Sequence, residues 1–296
     1  MTQKINTAAI PTNWEELIAA FENYLVQKER AENSVAAYSL TLRKFGEFYV
    51  KELKKTGPYL ARLKPNDLQA FIQHLESSRY LSGSTVNQSV SALRSFSRFL
   101  IRQRWIRTDI AVGLKTHFII HGRRHERLAE KEKRKLIDAP HLFRREEERD
   151  RAILQMMLQC GLRVNEVATL SIEDIKSAKK DKFVQIRAGQ GAQARKIKLN
   201  TAASRALDEY FYTRGGLRQD DPVFISNRGK RLSPKTIQYL AKKYLCVIDR
   251  SELSADDLRY EFACRLYEKT GDINLVKEAL GHRNKVTTSR YLEEVK

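Results

Sequence analysis

Two guanidinium groups, an imidazole and a phenol occur in a fixed order along this chain. Arg163 stands in Cys160-Gly161-Leu162-Arg163-Val164-Asn165-Glu166-Val167, Arg259 in Asp256-Asp257-Leu258-Arg259, His282 in Leu280-Gly281-His282, and Tyr291 follows nine residues later. Together they suit the breaking of a phosphodiester. A phosphate under attack spreads negative charge over its non-bridging oxygens, and guanidinium forks such as Arg163 and Arg259 match that geometry with two parallel donors each. Tyrosine, with a reference pKa of about 10, is a poor nucleophile at neutral pH unless cations or a proton acceptor surround it. Arg163, Arg259 and His282 supply such a surround.

Each residue also has a plainer reading. A tyrosine near the end of a chain is ordinarily a packing or surface residue, and a histidine after glycine is ordinarily a polar group at a helix end. Arg163 can pair with Glu166 on its own helix. What sets the group apart is its company: the Gly281-His282 turn, a helix-start signal at Thr287-Thr288, and then Tyr291.

In order and approximate spacing, these residues resemble the tyrosine recombinase and phage integrase family, and the resemblance extends over nearly the whole chain. It implies a mainly α fold with a small β-hairpin or sheet, in which an N-terminal helical SAM-like core-binding bundle precedes a tyrosine recombinase catalytic domain. It further implies that Tyr291 attacks a DNA phosphate to form a 3′-phosphotyrosyl link, that Arg163, Arg259 and His282 assist, and that Glu166 supports Arg163. The bond energy is conserved in the link, so no cofactor and no metal are expected.

Two positions depart from the family pattern. Where the family carries a general-acid lysine in a β-hairpin turn, this chain has Gln190, within Ala188-Gly189-Gln190-Gly191-Ala192. A neutral amide gives up no proton usefully. Strand alternation after the turn sends Ile197 and Leu199 to one face and Lys196 and Lys198 to the other, so Lys196 or Lys198 is the expected substitute acid. Asp256 stands three residues before Arg259, where the family most often has histidine. It is read as an orienter of Arg259 or as the N-cap of a helix starting near Leu258.

Charge points to the same class of partner. The 296 residues contain 55 Lys plus Arg against 36 Asp plus Glu, a formal charge of +19, and such a chain binds polyanions in a salt-sensitive manner. No apolar run approaches a membrane span and the N-terminus lacks a signal-peptide pattern, so a soluble, cytoplasmic chain without a membrane partner is expected. Cys160, Cys246 and Cys264 are odd in number and far apart, and read as small buried residues. The histidines of the basic stretch Lys115 to Arg127 lack the spacing of a metal site.

Hydrophobic periodicity places the elements that must position these groups. Trp14, Leu17, Ile18, Phe21, Tyr24 and Leu25 mark one amphipathic helix, separated at Asn33 or Ser34 from a second carrying Val35, Tyr38, Leu42, Phe45 and Tyr49. A third runs from Pro65 to Leu75, and a fourth follows Ser82-Gly83-Ser84 with Val86, Val90, Leu93, Phe96 and Phe99 on its apolar face. Four such helices make a bundle. The fourth also bears Arg94, Arg98 and Arg102 at intervals of four, a stripe suited to phosphates, and Arg43 and Lys44 on the second are further DNA-binding candidates. Ser233-Pro234 opens a later helix on which Lys235, Gln238 and Lys242 face outward.

The expected domains are 1–116, a helical core DNA-binding domain; 117–127, a linker; and 128–296, the catalytic domain. The expected partner is double-stranded DNA with an inverted-repeat core site, bound by a homodimer, with a homotetramer at synapsis that exchanges strands through a Holliday junction. Resolution of transposon cointegrates, separation of chromosome dimers and integration or excision of a mobile element all remain open. So do a catalytically impaired architectural paralogue and a topoisomerase that reseals without exchange.

Overall fold

In a computed structural model, residues 10–57, 60–78, 81–116, 126–143, 146–178, 181–188 and 193–292 are described. The chain divides into two compact units, Met1–Gly122 and Arg123–Lys296. Gln190 and the histidine-rich stretch 117–125 lie outside the described residues.

The first unit is the four-helix arrangement that the periodicity predicts: α1 (Trp14–Gln27), α2 (Glu32–Lys51), α3 (Pro65–Ser77) and α4 (Gly83–Arg102). Local chemistry sets most of the starts. The Asn13 side chain accepts from the Glu16 amide and that of Ser82 from the Thr85 amide, each satisfying an amide that has no partner within the helix, while Pro65 takes the first helical position of α3. The second helix differs from expectation. It begins at Glu32 after an Ala31 cap without a side-chain bond, so Asn33 and Ser34 lie inside its first turn. The fully buried rings of Phe21, Phe45, Phe71, Phe96 and Phe99 fill the centre, with Phe21 edge-on to Phe96 at 5.5 Å. Burying each such ring is worth roughly 2–3 kcal/mol.

The second unit begins with α5 (Glu130–Asp138), α6 (Glu147–Cys160) and α7 (Val164–Thr169). Three strands follow, β1 (Ile175–Ala178), β2 (Asp181–Ile186) and β3 (Arg195–Lys198), as an antiparallel sheet in the order β1-β2-β3. Val184 is the register point, opposite both Ile175 and Ile197. The expected hairpin therefore has a third strand on its other edge. Helices α8 (Thr201–Arg214), α9 (Pro234–Val247), α10 (Ala255–Thr270), α11 (Ile273–Leu280) and α12 (Lys285–Leu292) complete the unit.

Helix α6 is central. Ile153, Leu154, Met156 and Leu158 are buried on more than one side, because the helix packs against both α8 and α10. Among the described residues no helix is long and apolar enough to cross a membrane. Of the three cysteines, Cys160 and Cys264 are buried as expected, but Cys246 is exposed on α9.

Gly161 ends α6 in the left-handed region at φ +62°. A Cβ there would lie 2.3 Å from Cδ1 of the Phe262 ring, so backbone strain and overpacking add. Gly161→Ala is expected to cost about 2–5 kcal/mol by those two mechanisms together, read as a lowered urea midpoint; a loss under about 0.5 kcal/mol would show that the turn relaxes freely.

Candidate active site

The site is assembled at two helix ends where the chain turns on glycine. After Gly161 the chain enters α7, whose N-cap is Arg163. The Glu166 carboxylate reaches back one turn, accepting from the Arg163 amide at 2.8 Å and from Arg163 Nη1 at 3.3 Å. The pairing that the sequence suggests and a helix cap thus occur in the same two residues.

Helix α11 ends at Gly281, also left-handed at φ +65°. Both turns leave main-chain carbonyls without helical partners, and Arg259 takes one from each. Its Nη1 donates to Gly161 O and its Nη2 to Leu280 O, both at 2.5 Å. Arg163 Nη1 approaches the same Leu280 carbonyl at 3.5 Å. The two shortest contacts of the Arg259 guanidinium are thereby to backbone. Only 5% of its side chain is exposed, against 33% for Arg163. Burial first, then the neighbouring cations Arg163 and Arg195, lower Arg259 to about 10, so it stays charged at neutral pH.

His282 follows Gly281 directly and is buried. Its Nε2 lies 3.4 Å from Arg259 Nη2 and its Nδ1 lies 2.9 Å from Thr288 Oγ1. A guanidinium has no acceptor, so Nε2 carries the lone pair and the ring proton sits on Nδ1, facing Thr288. Burial first and then Arg259 lower His282 to about 4. Between about pH 4 and 6.5 the unfolded chain therefore binds the proton more readily than the folded one, and stability rises with pH through that window. The contribution is fully present above the unfolded pKa and lost as pH falls through the folded one. It amounts to on the order of 3 kcal/mol. Urea midpoints at pH 7 and pH 4.5 are expected to converge in His282→Gln relative to the starting protein; equal pH dependence of the two would contradict a buried neutral imidazole.

Tyr291 lies near the end of α12. Its ring meets Tyr260 edge-on at 5.1 Å and His282 at 6.0 Å, and its hydroxyl donates to the Asp256 carbonyl at 3.3 Å. Burial pushes the phenol above its ordinary value, and the charge of Arg259 opposes that push.

The structure thus brings Arg163, Glu166, Arg259, His282 and Tyr291 together. Other expectations are corrected. Asp256 is neither cap nor orienter: Ser254 is the N-cap of α10, and Asp257 bonds its amide and hydroxyl at 2.7 and 2.8 Å. Asp256 itself is exposed and meets Tyr291 through its main chain. Helix α12 starts not at Thr287-Thr288 but at Lys285, with Asn284 accepting from the Val286 amide, which leaves Thr288 fully buried against His282. Lys196 and Lys198 lie on the outward face of β3. The ammonium of Lys196 sits 4.0 Å from the Phe183 ring centroid, and that of Lys198 pairs with Asp181 at 2.6 Å. The pleat sets both on the face opposite Arg195, and these contacts already engage both ammonium groups.

Strand alternation carries a further signal. The inward face that takes Ile197 also takes Arg195, which is buried and bonds both Glu166 oxygens. With these contacts Glu166 ionises below its ordinary value: burial opposes ionisation, but the bonds and charge of Arg195 outweigh it.

The candidate DNA contacts are partly engaged within the protein. Arg94 donates to Leu114 O at 2.5 Å, Arg98 to Arg94 O at 3.2 Å, and Arg102 stands 6.0 Å from the Tyr24 ring centroid, all three on the exposed side of α4. Arg43 pairs with Glu22 at 3.7 Å and Lys44 is exposed. On α9, Lys235, Gln238 and Lys242 are exposed, and Lys242 also donates to the carbonyls of Ser251 and Leu253.

Residues 126–296 match the phage integrase family, and residues 18–104 match the phage integrase N-terminal SAM-like domain. Tyrosine recombinase XerC of Caldanaerobacter subterraneus subsp. tengcongensis is 31% identical, over 93% of this chain and 82% of the relative. Tyrosine recombinase XerD of Proteus mirabilis is also 31% identical, over 98% of this chain and 94% of the relative. Among solved structures, XerH site-specific recombinase bound to palindromic difH substrate, a post-cleavage complex, superposes with a TM-score of 0.76. That alignment covers 98% of this chain and 96% of the other at 19% identity, a likeness of fold.

Proposed function

Because this chain belongs to the phage integrase family of tyrosine recombinases, we propose that its strand-exchange chemistry is carried by Tyr291, Arg163, Arg259 and His282 at a specific duplex site. The observation that carries this reading is the anchoring of Arg259 by two glycine-turn carbonyls beside His282 and Tyr291. A guanidinium so fixed needs no reorganisation when charge develops on a phosphate.

The Tyr291 oxygen attacks phosphorus and forms the 3′-phosphotyrosyl bond as the bond to the 5′-oxygen breaks. The phenolic proton leaves to a base, and the departing oxygen takes up a proton to become a hydroxyl. Arg163 and Arg259 hold the non-bridging oxygens. Attack by a 5′-hydroxyl from the partner strand reverses the step, so the bond energy is retained without a nucleotide or a metal. With Gln190 at the family's lysine position and Lys196 and Lys198 turned outward, the proton for the 5′-oxygen comes from a donor other than these three.

The proposed division is a core DNA-binding domain over 1–116, a linker over 117–127 and a catalytic domain over 128–296. Arg43, Lys44, Arg94, Arg98, Arg102, Lys235, Gln238 and Lys242 are the proposed phosphate and groove contacts, and the excess positive charge supports them. A dimer on an inverted repeat and a tetramer at a Holliday junction follow from the symmetry such a site demands, and the palindromic substrate of the XerH complex supports the reading. The proposed setting is the cytoplasm and the movement or resolution of a mobile element. The departures at Gln190 and Asp256 favour one rival, an architectural paralogue that binds DNA without cutting it.

Covalent trapping separates the two. Nicked duplexes drawn from DNA flanking the gene are incubated with the protein and denatured. A denaturation-resistant 3′-linked adduct is the expected result; salt-sensitive binding without one would instead establish the architectural protein.

A further inference from the structure

The mechanism above leaves a buried cation beside the site unused. Arg195 has 6% of its side chain exposed. It donates through Nη1 and Nη2 to the two oxygens of Glu166, at 2.7 Å each, and through Nε to Ala279 O, also at 2.7 Å. Gly281 packs directly on it, since a Cβ there would fall 2.8 Å from Nη1. The Glu166 carboxylate is further from the other two arginines, 3.3 Å from Arg163 Nη1 and 3.7 Å from Arg259 Nη1. One carboxylate is therefore shared among three guanidinium groups, and the paired short bonds give it to Arg195.

That division matters for a phosphate. An arginine closely paired with a buried carboxylate presents less net charge to a ligand than one whose carboxylate is already neutralised. We propose that Arg195 is a positioning residue for strand cleavage, occupying both oxygens of Glu166 so that the charges of Arg163 and Arg259 stay available to the scissile phosphate. The inference rests on the phosphodiester reading above. Without Arg195, Glu166 turns to Arg163 and Arg259 and competes with the substrate from inside the site. Removing the freed carboxylate as well then restores part of the activity, which distinguishes this role from simple support of the fold.

The test is the single-turnover rate of adduct formation for the starting protein, Arg195→Gln, Glu166→Gln and the double variant, with gel-shift binding and thermal melting alongside. Arg195→Gln is expected to slow adduct formation at least about 100-fold, while DNA binding, spread over many phosphates, changes little. The Glu166→Gln/Arg195→Gln protein is expected to recover at least about tenfold over Arg195→Gln, a coupling of the size that neighbouring charges show. A double variant no faster than Arg195→Gln overturns the inference while leaving the Tyr291 chemistry intact. Absence of an adduct in the starting protein overturns the chemistry and the inference together. Should Arg195→Gln fail to fold, Arg195→Lys decides: it keeps a charge beside Glu166 but not the fork. Retention of the rate within about tenfold supports neutralisation, and a folded Arg195→Lys that loses more than about 100-fold excludes it.

Discussion

Tyr291→Phe is expected to abolish the covalent adduct, lowering its rate of formation at least about 10⁴-fold, while DNA affinity stays within about threefold. The substitution removes one oxygen and keeps the ring. Its edge contacts with Tyr260 at 5.1 Å and with His282 at 6.0 Å survive, and the lost bond to Asp256 O is long at 3.3 Å, worth about 1 kcal/mol. The folded state is thus preserved and only the nucleophile is gone. Tyr260 supplies the control. It is the other phenol beside the site but is buried, at 1% exposure, and Tyr260→Phe is expected to form the adduct. Gel shift and denaturing electrophoresis on the same duplex read both quantities. Joint loss of binding and adduct in Tyr291→Phe would make the tyrosine structural, and an adduct in that variant would move the nucleophile elsewhere.

The parts of this site that sequence reveals are those set by local chemistry. Arg163 and Glu166 lie three residues apart on one helix start, so their pairing follows from helix geometry alone. The four N-terminal helices are legible because each buries one continuous stripe, as Phe96, Phe99 and Leu100 do on α4. Strand β1 is not legible: an edge strand with one half-buried and three exposed residues offers no alternation to detect. The difference between Asp256 and Asp257 is also hidden. Both can cap a helix start, and a shift of one residue in the start decides which carboxylate turns back to Ser254.

Long-range contacts account for the rest. Arg259 is held by Gly161, 98 residues earlier, and by Leu280, 21 later, and no periodicity links those positions. Arg195 is an intermediate case. Alternation puts it on the same face as Ile197, but a charged residue on an inward face counts against a buried strand until its partner, Glu166, is known. The lysines beside it illustrate the converse: alternation shows that Lys196 and Lys198 share a face, while only the tertiary fold shows that their ammonium groups meet Phe183 and Asp181.

Arg259→Lys tests the same point energetically, and the expected result is a cleavage rate lower by about 10²–10³-fold with DNA binding nearly unchanged. A lysine has one nitrogen and cannot bridge the Gly161 and Leu280 carbonyls as the guanidinium does. At least one buried carbonyl then loses its partner, at a cost of about 1–3 kcal/mol in stability, and the remaining charge is no longer oriented. Protonation compounds the loss. The surroundings that lower Arg259 lower an ammonium in the same direction, and lysine starts from a reference below that of arginine. The variant is therefore expected to gain activity relative to the starting protein as pH falls from 9 to 7, because the charged form of lysine is recovered on the acid side. Rates are compared well below the melting temperature of the variant, so that unfolding does not contribute. A rate within threefold of the starting protein across that range would reduce Arg259 to a structural link between two helix ends, and the phosphate would then have to be held by Arg163 alone.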